Sequence, residues 1–285
     1  MFLFSPPKLE AEARSEIGPR DENQDNYLII NGRGEAEYLS KGRPYRQKLE
    51  QWPKGFQRLC VIDGMGGHNH GQAFATAVAE ALLSESPKPT SLRKRRAQLL
   101  ALHDQLRQHW HQGPESPGST LIWADIHPNG VLYLAHVGDS RAFLQHKGEW
   151  QQLTCDHSPS GYFQRDTKTD EEWNFPETHE VVQALGFGSF GIIKGSDGAS
   201  PLLRLDLAED LAKPHRKCAD LKRIKLKKGD QLMLASDGLW SGESKSPWSE
   251  FPSDKPLKES LRDMLWNLLE TGCSDNVTAV VCRIK

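Results

Sequence analysis

Residues 120–145 read TLIWADIHPNGVLYLAHVGDSRAFLQ, and this stretch decides the fold class. Two runs in it, 120–126 and 131–137, are rich in apolar, β-branched and aromatic residues, and they flank the tripeptide PNG at 128–130. Such runs indicate β-strands, and a turn that contains Pro, Asn and Gly is typical of a hairpin loop. The sheet is therefore predicted to be antiparallel here, which excludes a simple repeat of strand, helix and parallel strand.

Strand and helix patterns continue on both sides of this hairpin. A second turn, HKGE, follows the run 142–145, and further short apolar runs lie at 27–30, 59–62, 231–235 and 277–284. Three segments have helical period and one apolar face each, marked by Phe74, Val78, Ala81 and Leu82, by Leu99, Leu102, Leu106 and Trp110, and by Leu261, Met264, Leu265 and Leu268. Together these elements predict an α/β layered sandwich of two packed, mainly antiparallel sheets flanked by α-helices.

The chain has 285 residues, a length that allows either one or two domains. We find no internal repeat and no low-complexity linker that would divide it. A single domain over residues 1–285 is therefore expected. Residues 31–57 and 156–201 are rich in Gly, Pro, Lys and Asp and have weak periodicity, so we expect loops or insertions there.

The amino-acid composition excludes some classes of binding partner. Lys and Arg total 36 against 38 for Asp and Glu, so the chain lacks the basic field of a protein that binds nucleic acid or an anionic membrane. The longest apolar window, 71–83, is too short to span a bilayer. The cysteines are scattered without a CxxC pair, which favours a reduced compartment, and they are Cys60, Cys155, Cys218, Cys273 and Cys282. We expect a soluble, cytoplasmic protein.

Five aspartates lie where predicted strands begin or end. Asp63, Asp139 and Asp237 follow three of the runs, while Asp25 and Asp275 precede two others. One such Asp is most often a turn or cap residue. Five that converge at one rim would repel one another and raise their pKa values unless cations neutralised them. Because oxygen ligands suit Mg²⁺ and Mn²⁺, the pattern predicts a site for several metal ions.

Eight short motifs follow one another along the chain. They are RDENQD at 20–25, VIDGMGGH at 61–68, GST at 118–120, VGDSR at 137–141, LTCDHS at 153–158, GD at 229–230, ASDGL at 235–239 and SDNVT at 274–278. In this order they resemble the motifs of the PPM metal-dependent protein phosphatases, also called protein phosphatase 2C, and the DGMGGH wording resembles the bacterial branch. The resemblance extends from about residue 14 to residue 284. It implies two antiparallel sheets flanked by helices, in agreement with the layers above.

The resemblance also implies a ligand set for two core ions, Mn²⁺ or Mg²⁺. Asp63 would bridge both ions, and the carbonyl of Gly64 would complete one coordination shell. Asp237 and Asp275 would bind one ion, and Asp25 would hold the other through water.

Further roles follow from the same resemblance. Arg20 would bind the substrate phosphate, and Asp139 with Asp237 would form a weaker third metal position. Two cations roughly 3.5–4 Å apart can share a water, lower its pKa toward ~7 and direct the hydroxide at phosphorus. The implied reaction is hydrolysis of phosphoserine and phosphothreonine, catalysed through Arg20, Asp63, Asp139 and Asp237. The implied partners are phosphorylated proteins, a cognate Ser/Thr kinase or its substrates.

Some positions depart from the family pattern. Met65 stands where some relatives carry a His that has been proposed as the general acid, and His68 is a candidate for that role. A His that is flanked by Gly and opens a helix is nevertheless more often structural. Gln24 stands where many members have Glu, and Gln183 where Arg is common.

Two other functions are compatible with parts of the pattern. One is a catalytically silent module that binds phosphoproteins on the same fold, although five intact aspartates favour an enzyme. The other is a serine hydrolase with Ser140 as nucleophile and Asp156 and His157 downstream. A nucleophile elbow requires a strand, a sharp turn and a helix, whereas a second strand is predicted after Ser140. The serine hydrolase hypothesis is therefore disfavoured.

Overall fold

The structure is a computed structural model. It describes residues 8–66, 70–111, 113, 116–159, 161, 180–190, 201–207, 219–242, 244 and 246–285. No helix within these residues combines the length and apolar character needed to cross a membrane.

Two large antiparallel sheets form the centre of the protein. The first sheet has the order β1 (Leu9–Glu16), β16 (Val277–Ile284), β15 (Gln231–Ala235), β9 (Arg141–His146) and β10 (Glu149–Gln152). The second has the order β14 (Leu221–Lys225), β8 (Val131–Val137), β7 (Leu121–Ile126), β5 (Gln57–Met65), β2 (Asp25–Ile30), β3 (Glu35–Ser40) and β4 (Arg43–Lys48), with β6 (Gly118–Ser119) paired to the end of β5. A small third sheet comprises β11 (Gln183–Ala184), β12 (Gly188–Phe190) and β13 (Pro201–Leu202).

Helices cover the outer faces of the two sheets. Helices α1 (His70–Ser84) and α2 (Leu92–Trp110) bury their apolar faces against the second sheet, while α3 (Leu257–Glu270) packs on the first. The N-terminus of α2 is capped by Ser91, whose side chain accepts a bond from the Lys94 N–H. The predicted layered sandwich is confirmed.

Central strands are buried on both faces because each sheet lies between a helix layer and the other sheet. In β7, Leu121 and Trp123 face α1 and α2, while Ile122 and Ala124 face the first sheet. Successive side chains of a strand point to opposite faces, so nearly every side chain of such a strand must be apolar or, like Asp125 in β7, be paired inside the fold. This explains why the central strands are visible in the sequence as mainly apolar runs.

Residues 31–57 were expected to be a loop or insertion, and they do not form a loop. They contain the hairpin of β3 and β4, which pair in register from Glu35 with Lys48 to Ser40 with Arg43. Strand β4 forms the edge of its sheet and reads RPYRQK, almost wholly exposed. Charges and Pro are common on edge strands, where they discourage pairing with another chain, and they hide the apolar alternation. Of residues 156–201, the described part includes β11 and β12.

The cysteines also differ from expectation. Cys155 is disulfide-bonded, whereas Cys60, Cys273 and Cys282 are free and buried. The disulfide at Cys155 departs from the reduced state that the scattered cysteines favoured, because the fold and not the spacing along the chain sets the distance between two thiols.

Candidate metal centre

The predicted carboxylates converge on one cleft. Asp63, Asp139, Asp237 and Asp275 all line a cavity of about 570 Å³, together with the Gly64 backbone and Arg20. Asp63 lies near the end of β5, Asp139 follows β8, Asp237 follows β15 and Asp275 precedes β16. These strand ends thus meet at one rim, which is the condition on which the predicted metal site depended.

The fifth aspartate, Asp25, is not among the residues that line the cavity and is 3% exposed. It is the register partner of Asp63 across β2 and β5, and its Oδ2 accepts a bond of 2.7 Å from the Ser236 hydroxyl. Burial raises the pKa of Asp25 to about 7, and the charges of Asp237 and Asp275 act in the same direction.

Asp63 is held by its backbone. Its N–H donates to Thr120 Oγ1 at 3.0 Å, and the Thr120 N–H donates to the Asp63 carbonyl at 2.8 Å. Burial raises the pKa of Asp63 well above its ordinary value, and the charges of Asp25 and Asp237 raise it further. Both bonds use backbone atoms of Asp63, so they leave its side-chain carboxylate available for a ligand. That carboxylate lies among like charges.

Asp139 follows a turn that only glycine can make easily. Gly138 has φ of +97°, and a Cβ there would lie 2.6 Å from Thr120 Cγ2. Asp139 itself is buried, and its Oδ1 has no hydrogen-bond partner within the described part of the chain. Burial and the charge of Asp237 raise the pKa of Asp139 well above its ordinary value. A buried, unpaired carboxylate oxygen is costly without a cation.

Gly64 lets the end of β5 approach two other segments. A Cβ at this position would lie 2.2 Å from the Gly71 carbonyl oxygen and 2.7 Å from the Gln24 carbonyl oxygen. The Gly64 N–H donates to the same Gln24 carbonyl at 3.1 Å. Any side chain would therefore separate β5 from α1 and from the residues that precede β2.

Arg20 lies at the mouth of the cleft with its side chain 56% exposed. Its Nη2 donates to Asp275 Oδ2 at 2.7 Å, and its Nε donates to the Ser274 carbonyl at 3.3 Å. The segment that carries it is fastened by Asn276, whose amide donates to the carbonyls of Ile17 and Glu22.

The positions that depart from the family pattern have defined surroundings. Gln24 Nε2 donates to Glu22 Oε2 at 3.0 Å and to the Gly66 carbonyl at 3.1 Å, which a Glu lacks the hydrogens to do. Met65 lines the cleft. His68 lies outside the described residues.

The serine hydrolase arrangement is not what the structure contains. Ser140 is fully buried, its Oγ lies 2.7 Å from Thr120 Oγ1, and strand β9 follows it rather than a helix. His157 bonds to Asp220, and Asp156 forms a two-pronged pair with Arg141.

Sequence reasoning missed three residues that organise the centre. Thr120 anchors Asp63, Ser236 anchors Asp25, and Asn276 fastens the Arg20 segment. Each lies inside a motif quoted above, so a polar residue next to a candidate ligand was the available signal.

The sequence of the chain matches a known protein family. The sequence profile described as protein phosphatase 2C matches residues 37–281. The chain is a member of the protein phosphatase 2C family. The expected family resemblance is confirmed.

Several relatives of this family member bear phosphatase names. "Probable protein phosphatase 1N" of Mus musculus is 29% identical over 252 residues, covering 83% of this chain and 59% of the relative. The serine/threonine protein phosphatase PstP of Mycobacterium tuberculosis is 27% identical, covering 81% of this chain and 41% of the relative. The chain thus spans about half the length of these two relatives. Protein phosphatase PhpP of Streptococcus pneumoniae is 27% identical, with 81% and 87% covered.

Solved structures share the fold of this protein phosphatase 2C family member. A serine/threonine phosphatase of S. agalactiae superposes with a TM-score of 0.69 at 22% identity, covering 98% of this chain and 100% of the other. The catalytic domain of PstP, in complex with two manganese ions, superposes with a TM-score of 0.64 at 25% identity, covering 97% and 98%.

Proposed function

We propose that this chain is a metal-dependent phosphatase that hydrolyses phosphoserine and phosphothreonine in proteins. The observation that carries the proposal is the convergence of Asp63, Asp139, Asp237 and Asp275 on one cleft with Arg20 at its mouth. Relatives named as serine/threonine protein phosphatases and membership of the family support the same activity.

The residues at the rim fit divalent cations. The donors are carboxylate oxygens and a backbone carbonyl, which is the set that Mn²⁺ and Mg²⁺ prefer. Burial, together with repulsion between the carboxylates, raises the pKa values of Asp25, Asp63 and Asp139, and Asp139 Oδ1 is buried without a hydrogen-bond partner among the described residues. Bound cations would relieve both conditions, and a PstP structure contains two manganese ions.

The chain's own residues then have distinct roles. Asp63, Asp237, Asp275 and the Gly64 carbonyl would hold the core ions, and Asp25 would support the site from its buried position next to Asp63. When bound, the ions supply an activated water as nucleophile and positive charge against the phosphoryl oxygens. Thr120 and Ser236 keep Asp63 and Asp25 in place through the bonds described above.

Arg20 would bind the phosphate of the substrate. Its planar guanidinium can donate two parallel bonds to phosphate oxygens, and more than half of its side chain is exposed at the cleft mouth. An oxygen of the substrate phosphate would accept the hydrogen bond from Nη2 that Asp275 Oδ2 accepts in this structure. Arg20 thus holds the ester at the end of the cleft where the carboxylates lie.

Protonation of the leaving oxygen needs another group, because Met65 has no proton to give. Asp139 lines the same cleft, and we assign it the positioning of the proton donor. The substrates are phosphorylated proteins and the partners a Ser/Thr kinase or its substrates. The cytoplasm is the proposed place of action, since protein kinases require ATP.

The activity is tested by measuring hydrolysis of p-nitrophenyl phosphate and of a phosphothreonine peptide with and without Mn²⁺. The proposal requires turnover of both that depends on the metal and stops with EDTA. Binding of the phosphothreonine peptide without turnover of either compound would replace the enzyme with a silent phosphoprotein-binding module.

A further inference from the structure

His157 is fully buried and bonds to both backbone groups of Gly138. The Gly138 N–H donates to His157 Nδ1 at 3.0 Å, and the His157 N–H donates to the Gly138 carbonyl at 2.8 Å. Gly138 immediately precedes Asp139 and carries the positive φ of the turn. The direction in which Asp139 leaves the strand is therefore set by a residue that lies 18 positions later in the sequence.

The imidazole is oriented from its other side by Asp220, which precedes β14. His157 Nε2 lies 2.9 Å from Asp220 Oδ1, within a fully buried environment. Because the Gly138 N–H points at Nδ1, that nitrogen must accept, and the ring hydrogen must reside on Nε2 and be donated to Asp220. His157 is thus a neutral ring of one defined tautomer.

A third contact comes from Gln183. Its Nε2 lies 2.9 Å from His157 Nδ1, and its Oε1 accepts a bond of 2.6 Å from the Asp206 N–H. The Val182 N–H donates to the His157 carbonyl at 2.8 Å, and the neighbouring Val181 lines the cleft. His157 therefore joins the cleft wall to the turn that carries Asp139.

The cluster has a competing interpretation as a metal site. Nitrogen and oxygen atoms of His136, His157 and Asp220 lie within 4.8 Å of one another, and His136 has no hydrogen-bond partner on either ring nitrogen within the described residues. A cation on His157 Nε2 would require that nitrogen to lose its hydrogen while Nδ1 still accepts from Gly138. The ring would then have to be an imidazolate, so the hydrogen-bond pattern favours the neutral ring.

We propose that His157 is the positioning residue of Asp139. It acts through Gly138 and does not touch substrate, and it couples the place of Asp139 to the cleft wall at Val181. The proposal rests on the proposed phosphatase function for its kinetic consequence only. Its structural part, the tautomer and the bond to Gly138, stands independently of that activity.

Two substitutions separate the two ring nitrogens. In His157→Asn the amide oxygen replaces Nδ1 and can accept from the Gly138 N–H, whereas in His157→Gln the longer amide replaces Nε2 and retains the bond to Asp220. We expect the Asn variant to remain within a few-fold of wild type. The Gln variant should lose about 10–100-fold in kcat on the phosphothreonine peptide, with KM nearly unchanged, because Asp139 is misplaced. The loss in kcat on p-nitrophenyl phosphate should be smaller, because its leaving group depends less on protonation.

A merely structural role predicts another pattern. Both variants would then lower the melting temperature while the folded protein kept its kcat on both substrates, and that result would overturn the proposal. Asp220→Asn is the matched control for the outer partner, since its amide oxygen can still accept from Nε2. It should retain more kcat than His157→Gln.

Nitrogen-15 NMR of the wild-type protein provides a test that needs neither variants nor activity. We expect His157 Nδ1 to be unprotonated, Nε2 to be protonated, and the Gly138 amide to be protected from exchange. A protonated Nδ1, a rapidly exchanging Gly138 amide, or a co-purified zinc ion that is lost in His136→Ala would overturn the proposal. If wild type shows no metal-dependent turnover, the proposed function fails while these spectra still decide the role of His157.

Discussion

Arg20 Nη2 lies 2.7 Å from Asp275 Oδ2, so the proposed phosphate-binding residue is paired with a proposed metal ligand 255 positions away. The pair places one positive and one negative charge in the lining of the cleft. If Asp275 held a cation, its carboxylate would no longer be available to Arg20 alone. The Arg20 guanidinium would then be free to bind a substrate phosphate.

The first prediction concerns this arginine. Arg20→Ala should mainly raise KM for phosphate esters, with a smaller loss in kcat, because the guanidinium holds the ground state and the transition state alike. Arg20→Lys is the control: it keeps the charge but not the two-pronged geometry, so its KM should lie between those of wild type and Arg20→Ala. Steady-state kinetics measure both constants. An unchanged KM in Arg20→Ala would show that Arg20 does not bind the substrate phosphate and is only a charge on the surface.

The second prediction concerns the core carboxylates. Asp63→Asn and Asp237→Asn should each abolish turnover, because each removes charge from the proposed ion pair. In EDTA the same variants should melt at a higher temperature than wild type, since a like charge has been removed from the crowded rim. Calorimetry and kinetics together check this, and near-normal kcat in a folded, metal-loaded variant would contradict the assignment.

A third prediction separates the outer position from the core. Asp139→Ala should retain two bound ions but lose turnover, by about 10²–10⁴-fold on a phosphothreonine peptide if a general acid is lost. The loss on p-nitrophenyl phosphate should be smaller, because its leaving group needs less protonation. Metal titration by calorimetry beside kinetics measures this, and equal losses on both substrates would argue against a role in proton transfer.

The fourth prediction is a pH dependence of the metal-free protein. Burial raises the pKa of Asp25 from its ordinary 3.8 to about 7. A carboxyl whose pKa is higher in the folded state favours folding most while protonated, so its contribution is full below pH ~4 and is lost as the pH rises to ~7. In EDTA the melting temperature should fall across this range, and Mn²⁺ should restore it. The fall should be shallower in Asp25→Asn; an identical slope would remove Asp25 as its cause.

The fifth prediction concerns a buried ion cluster away from the cleft. Asp125 Oδ1 and Oδ2 lie 2.7 and 2.9 Å from Arg58 Nε and Nη2, and Asp125 also pairs with Arg95; all three side chains are fully buried. Burial raises the pKa of Asp125, but the two guanidinium charges lower it by more, so it lies below its ordinary value.

Asp125→Asn leaves two arginine charges buried without a counter-charge. We expect it to lower the free energy of unfolding by about 3–5 kcal/mol, measured by urea denaturation. The control is Asp263→Asn, which breaks the exposed pair with Arg262 and should leave stability unchanged. Similar effects of the two substitutions would show that burial of the Asp125 cluster contributes little.

Some of the fold and the five aspartates of the candidate site were predictable from local pattern, whereas Arg20 and the Gly64 carbonyl were assigned only through the family resemblance. The strands at 59–62 and 131–137 are apolar, except for His136, because both of their faces are buried, and this signal does not depend on distant residues. The aspartates at strand ends were visible for the same reason, because the strands define where the chain reaches the rim. Their joint appearance at the cleft then follows from packing those strands in two sheets.

Tertiary structure alone decided the remainder. The hairpin of β3 and β4 was missed because an edge strand is exposed and carries charge instead of apolar alternation. The pairing of Arg58 with Asp125 and of His157 with Gly138 joins residues 67 and 19 positions apart, and nothing in either neighbourhood predicts the partner. A charge or a ring nitrogen can be buried without a large energetic cost only when a group distant in sequence pairs with it or forms a hydrogen bond to it. These contacts are therefore properties of the packed fold and not of the local sequence.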